Sequence, residues 1–206
     1  MKVRSYHHGD LKQALIEAAL DLLREQGVSG LSLRAIAARA KVSHMAPYSH
    51  FRNKKELVQA VAAAGFDELT RRLIELRKVY VEPGERVLNY GVAYVQFAVE
   101  NPDLYRLMLS QSDLGGQRAS QERGSREGFQ ISPRLESSSR RPFELLRDEF
   151  ARSGGDPLRV TARAATAWSM VHGMAALMID GHLELPEGMS VRELFIMAVS
   201  PAMMKV

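Results

Sequence analysis

Residues Ser32 to Phe51 read SLRAIAARAKVSHMAPYSHF. The spacing predicts two short helices joined by a tight turn. Ser32 can cap the first, which carries Leu33, Ile36, Ala37 and Ala40 at helical three-four intervals. Lys41 and Val42 form the turn, and Ser43 can cap the next helix, running to about His50. Helices joined so tightly must approach closely. Ala37 and Ala40 offer small residues at the crossing, Val42 can bury its side chain in the turn, and Ile36, Tyr48 and Phe51 can close a core. This is the arrangement of a helix-turn-helix, whose second helix suits the major groove of a nucleic-acid duplex.

The pattern on both sides is helical. Upstream, Leu11, Ala14, Leu15, Ala18, Leu22 and Leu23 share one face; Asp10 can cap this helix with Gln13 as capping-box partner, and Gly27 can end it in a left-handed conformation. Downstream, Asn53 with Glu56 can cap a long helix bearing Leu57, Val61, Leu69, Leu73 and Leu76. After the break at Pro83-Gly84, one helix carries Val87, Tyr90, Tyr94 and Phe97 and ends near Asn101-Pro102; another carries Leu104, Tyr105, Met108 and Leu109. Residues 113–141 hold six Ser, four Gly and six Arg but only five apolar side chains. So little apolar surface cannot offset ordering entropy, and a mobile loop is expected. Helices are expected to resume over Pro142–Arg152, Pro157–Asp180 and Val191 to about Met204. No alternating strand, internal repeat or glycine-rich phosphate loop stands out. The expectation is an all-α chain: a three-helix helix-turn-helix domain over residues 1–57, then a helical body over 58–206.

Composition narrows the function. The chain has 206 residues and no cysteine, which excludes disulfides, thiolate metal sites and cysteine nucleophiles. Its formal charge of +4 is unevenly placed. Residues 1–57 carry ten Lys/Arg against five Asp/Glu, whereas residues 58–206 carry eighteen against nineteen. A small basic module on a near-neutral body suits a reader of polyanions, the bland alternative being a solvated charged surface. Met1 to Asp10 are polar and basic, so no secretory leader is expected. The most apolar run, Ala164 to Ile179, is short for a membrane span and contains His172, so it reads as a buried helix. A cytoplasmic location, with no membrane partner, is the expectation.

The quoted segment resembles the DNA-binding domain of the TetR (tetracycline-repressor) family of bacterial transcription regulators. The likeness rests on Ser32, Ile36-Ala37, Ala40-Lys41-Val42-Ser43, Tyr48, His50-Phe51 and Lys54, and it spans residues 6–57. The opening Tyr6-His7-His8-Gly9-Asp10-Leu11, with Trp168 and His172-Gly173, resembles a subgroup named for a Trp-His-Gly C-terminal domain. The resemblance implies that Ser43, His44, Met45 and Ala46 begin the recognition helix and face the groove. Tyr48 and His50 would reach phosphates. Lys54, at a helix start, would hold another, and Arg34 with a Tyr6–His8 arm would add backbone contacts. Apolar Met45 and Ala46 would favour thymine methyls, with His44 supplying a hydrogen bond. Two departures bear on these roles. Lys41 stands where the family usually has Gly, and Pro47 lies where its missing N–H forfeits an early helical bond. Paired His7-His8 lack a third ligand at suitable spacing, so no metal and no cofactor are expected.

In the body, eight of ten methionines fall after residue 107. With Tyr90, Tyr94, Phe97, Tyr105, Met108 and Trp168 they can line an adaptable apolar cavity for a small apolar or amphipathic ligand, or simply pack a core. His172 is polar on an almost wholly apolar helix. If buried it must be hydrogen-bonded, to backbone, tyrosine or ligand. The small residues Ala164, Ala165, Ala167, Gly173 and Ala176, with Ser169 among them, permit close helix approach. Together with Leu194 and Ala198 of the last helix they can form a four-helix interface across a twofold axis. The resemblance implies the same, a homodimer presenting two recognition helices to a pseudo-palindromic operator of double-stranded DNA. Two other classes compete. An enzyme would need a catalytic constellation, and none stands out. A helical protein-interaction module would show no salt-dependent DNA affinity.

Overall fold

A computed structural model describes residues 8–112 and 131–198, with residues 8–10 and 198 described for backbone only. Among the described residues there are eight α-helices and no strand: α1 His8–Gln26, α2 Leu33–Arg39, α3 Lys54–Val79, α4 Pro83–Glu100, α5 Pro102–Gln111, α6 Pro133–Arg152, α7 Pro157–Ile179 and α8 Val191–Ala198. The chain forms two compact units. One draws on Met1–Gly65 and Asp103–Ser139, the other on Phe66–Pro102 and Arg140–Val206.

The first unit is closed by local devices. Leu15, Leu23, Leu31, Ile36, Phe51 and Leu57 are buried. Ser32 Oγ accepts from the Ala35 N–H at 3.1 Å, capping α2. At the other end of α2, Lys41 has φ 56°, the one positive value outside glycine among the described residues. The Lys41 N–H donates to Ala38 and the Val42 N–H to Ala37, at 3.1 and 3.0 Å. Those paired bonds make a Schellman closure, which asks for a left-handed residue at this position. Asn53 Oδ1 accepts from the Glu56 N–H at 3.0 Å, while the Glu56 carboxylate takes the Arg52 N–H at 2.8 Å, starting α3.

Three expectations change. The segment after Ser43 is no α-helix: it forms a turn, then a single 3-10 helix over Ala46–Ser49. Pro47 has no N–H to give and is buried; Tyr48 and His50 bond three residues back, to Met45 and Pro47. Tyr48 is 51% exposed and takes no part in the core. The first helix starts at His8, ahead of the expected cap at Asp10.

The second unit packs α4 against α7 and α8. Gly91 makes the closest approach: a Cβ there would fall 2.8 Å from the Phe195 ring, so only glycine fits. Helix α6 begins at Pro133, nine residues earlier than its sequence suggests, and carries Pro142 in its interior. Of the expected loop, residues 113–130 lie outside the described residues. The buried stripe of α6 explains the difference, because Leu135, Ser138, Pro142, Leu145 and Glu149 recur at three-four intervals but three of the five are not apolar aliphatics.

Candidate nucleic-acid interface and effector cavity

The caps and the Schellman turn fix how the first unit presents its side chains. Arg34, Lys41, Ser43, His44, Met45, Tyr48 and Lys54 are exposed, with Ala46 and His50 half-buried. Met45, at 59% exposure, is the most prominent apolar side chain of the group. Its position opposes the burial rule for a large apolar side chain, so it suits contact with something outside the chain. The Nε2 atom of His50 is buried and has no hydrogen-bond partner. Lys54 stands in the first turn of α3, where the helix dipole and the ammonium both favour an anion. Arg39 is tied to Glu25 across the unit, and the Lys12 ammonium sits 5.8 Å from the Phe51 ring centroid. Tyr6 and the side chain of His8 lie outside the described residues.

The second unit holds a partly open cavity of about 610 Å³, within the usual range for small-molecule sites. Tyr90, Tyr94 and Trp168 line it, joined by Leu73, Leu146, Phe150 and Phe195 on three other helices and by Arg159 and Arg163. The Trp168 ring meets Tyr94 and Phe143 edge-on, with centroids 5.2 and 5.7 Å apart.

His172 sits behind this wall and does not line the cavity. Its Nδ1 lies 2.9 Å from the Trp168 carbonyl, and its Nε2 lies 2.9 Å from the Tyr94 hydroxyl. A carbonyl can only accept, so Nδ1 carries the proton and Nε2 accepts from Tyr94. Burial pushes the imidazole below its ordinary value, and the Trp168 carbonyl only partly offsets that. Neutral His172 thus holds two cavity-lining rings in place.

Other expected cavity residues stand elsewhere. Phe97 is buried in the second unit with the Arg72 guanidinium 5.3 Å from its ring centroid. Tyr105 and Met108 are buried in the first unit, because α5 closes on α3 there: a Cβ on Gly65 would fall 2.5 Å from the Met108 sulfur.

One feature has no local sequence signal. Glu149 is 0% exposed and lies 2.8 Å from Arg77, 3.1 Å from Arg86 and 3.6 Å from Arg152. Arg77 also donates to the Tyr90 hydroxyl at 2.9 Å. The only hint is an acid sitting on the apolar stripe of α6.

On α7, the residues expected at a subunit interface, Ala165, Ser169, Gly173 and Ala176, are all exposed and share one face; Leu194 is half-buried, and the side chain of Ala198 lies outside the described residues. Leu158, Leu177, Ile196 and Met197 are exposed apolar side chains on the same two helices. No helix among the described residues is long and apolar enough to cross a membrane.

Comparison with known proteins assigns the class. Residues 87–200 match the family described as "Tetracyclin repressor-like, C-terminal domain", and residues 15–61 match "Bacterial regulatory proteins, tetR family". The chain belongs to the TetR family of bacterial regulatory proteins, a family of regulators and not of enzymes. It is 45% identical over 64 residues to the HTH-type nicotine-responsive transcriptional repressor HdnoR of Paenarthrobacter nicotinovorans, covering 31% of this chain and 33% of that one. It is 54% identical over 50 residues to the Tetracycline repressor protein class A from transposon 1721 of Escherichia coli, covering 24% and 23%. These matches span a third or less of either relative. A solved protein of unknown function from Rhodococcus sp. RHA1 is similar over 95% of both chains, with a TM-score of 0.74 and 28% identity.

Proposed function

We propose that the chain is a transcriptional repressor that binds a pseudo-palindromic operator as a homodimer and releases it when a small apolar or amphipathic molecule fills the cavity. The observation that carries this reading is the exposed set on the first unit: cations Arg34, Lys41 and Lys54 flanking Ser43, His44, Met45 and Tyr48. Phosphate contacts from the cations, Tyr48 and His50 would set register, while base edges read by Ser43, His44, Met45 and Ala46 would set sequence. The names of the two relatives matched over this module, both repressors, support the same assignment. The exposed small-residue face of α7, with Met197 and Ile196 exposed on α8, suits a second copy of the chain packed by twofold symmetry.

Release follows from differential affinity. A ligand can bias the dimer only to the extent that it binds the released form more tightly, and operator must weaken ligand binding by the same factor. Helix α3 carries Lys54 in its first turn and Arg77 in its last, and Arg77 donates to the Tyr90 hydroxyl of the cavity wall.

The test is binding to duplex DNA from beside the chain's own gene, measured by fluorescence anisotropy across salt. A dimer making roughly 6–10 phosphate contacts loses about 10³–10⁵ in affinity between 50 and 200 mM salt. A flat response, or a chain that stays monomeric and ignores every duplex, removes the reading in favour of a protein-interaction module.

A further inference from the structure

Tyr90 serves two parts of the second unit at once. Its ring lines the cavity from α4, yet its hydroxyl is held by two residues that do not line it. The Arg77 Nε–H, in the last turn of α3, lies 2.9 Å from the Tyr90 oxygen and 2.9 Å from Glu149 Oε1 on α6. One N–H feeding two acceptors is a three-centre bond. A single proton cannot align fully with both, so strengthening one arm weakens the other. Burial raises the Tyr90 phenol above its ordinary value. The hydroxyl therefore keeps its proton, which faces Glu149 Oε1 at 3.5 Å, the outer limit of a hydrogen bond. The Tyr90 ring cannot move toward the cavity or away from it without redividing the Arg77 proton. Glu149 also keeps Arg86 at 3.1 Å and Arg152 at 3.6 Å, so a change confined to Arg77 does not strand the buried carboxylate.

We propose that Arg77 is a positioning residue of the cavity, acting through the Tyr90 hydroxyl, so that filling the cavity and forming the Arg77–Glu149 pair are energetically coupled. This rests on the ligand-responsive reading above and names the residues through which a ligand is felt. The anchor fixes the Tyr90 ring before any ligand arrives. Without it the ring must be ordered on binding, and affinity falls. The coupling is reciprocal: a filled cavity strengthens the ion pair by the factor by which the pair strengthens binding.

Trp168 is the only tryptophan of the chain and lines the cavity, so its fluorescence reports occupancy. The full-length protein is titrated with N-phenyl-1-naphthylamine, a neutral apolar probe that quenches tryptophan emission by energy transfer, with calorimetry as the second readout. Tyr90→Phe removes the hydroxyl and keeps the ring and every ion pair. Arg77→Lys keeps a charge opposite Glu149 but loses the guanidinium fork that reaches both acceptors. Each single change weakens probe binding about threefold to tenfold. The double variant is no weaker than either single one, the non-additivity of one shared contact. Arg152→Lys makes the same chemical change at a Glu149 partner on the far side from Tyr90's anchor, and it leaves probe affinity unchanged. Losses that multiply in the double variant overturn the proposal. So does an unchanged affinity in either single variant, or an equal loss in Arg152→Lys. Those outcomes leave the effector reading in place, because the probe still binds. A chain that takes up no probe loses the cavity and the coupling together. A chain that shows the coupled pair but ignores operator DNA keeps the coupling and loses the repressor.

Discussion

In the helix-turn-helix unit the polar side chains of interest face outward: Arg34, Lys41, His44, Tyr48 and Lys54 stand in solvent above a core of Leu15, Ile36 and Phe51. In the second unit they face inward. Glu149 is buried beneath three arginines, and His172 is locked between Trp168 and Tyr94. The first arrangement suits a surface that meets a large charged partner, because exposed cations keep their hydration until contact. The second suits selection of a small molecule, since buried, mutually bonded groups hold the wall in one shape and act through a low dielectric. The outward unit is therefore expected to be tolerant of polar substitution and sensitive to salt, the inward unit the opposite.

Breaking the buried cluster is the severest probe of that contrast. Glu149→Gln strands three guanidinium groups and is expected to cost about 3–5 kcal/mol, read from urea unfolding followed by Trp168 fluorescence. A loss below about 1 kcal/mol, the level of exposed ion pairs, would erase the distinction. Next comes Lys41→Gly. It relieves the left-handed lysine and should raise stability by about 1 kcal/mol. If Lys41 also meets a phosphate, the same change lowers the slope of log affinity against log salt by about one. Stabilisation without any change in that slope would make Lys41 a bystander in DNA binding. The mildest effect is expected at His172. The folded chain holds it neutral below its ordinary value of 6.5, whereas the unfolded chain takes up a proton as pH falls past that value. Its contribution is thus complete above about pH 6.5 and lost as pH drops through the lower folded value. Comparing melting temperatures at pH 7.5 and 5.5, His172→Gln should show a smaller fall than the parent chain; an identical fall would detach the residue from this linkage.

The same contrast explains which features could be read in the residues. Ser32, Asn53-Glu56 and Gly27 act within a few positions of themselves, so their roles follow from short patterns. Ile36 and Phe51 likewise belong to one compact motif. The recognition segment was harder, because Pro47 satisfies helix spacing while lacking the donor an α-helix needs, and a 3-10 turn resulted. The start of helix α6 is not legible in the residues because Ser138 and Glu149 occupy buried positions where apolar residues are expected. The Glu149 cluster joins residues 77, 86, 90 and 149 through tertiary packing alone. Phe97 and Met108 show the same limit: helical spacing marks them as inward-facing without saying which interior they enter.

Pro47 carries a consequence for rates. Its ring fixes φ and it is packed in the interior, so the 43–50 segment has already given up much of its conformational freedom before meeting any partner. Little entropy remains to be surrendered on docking. A softer residue at 47 would therefore act mainly by shortening the residence time of a complex, leaving the frequency of productive encounters nearly as it was.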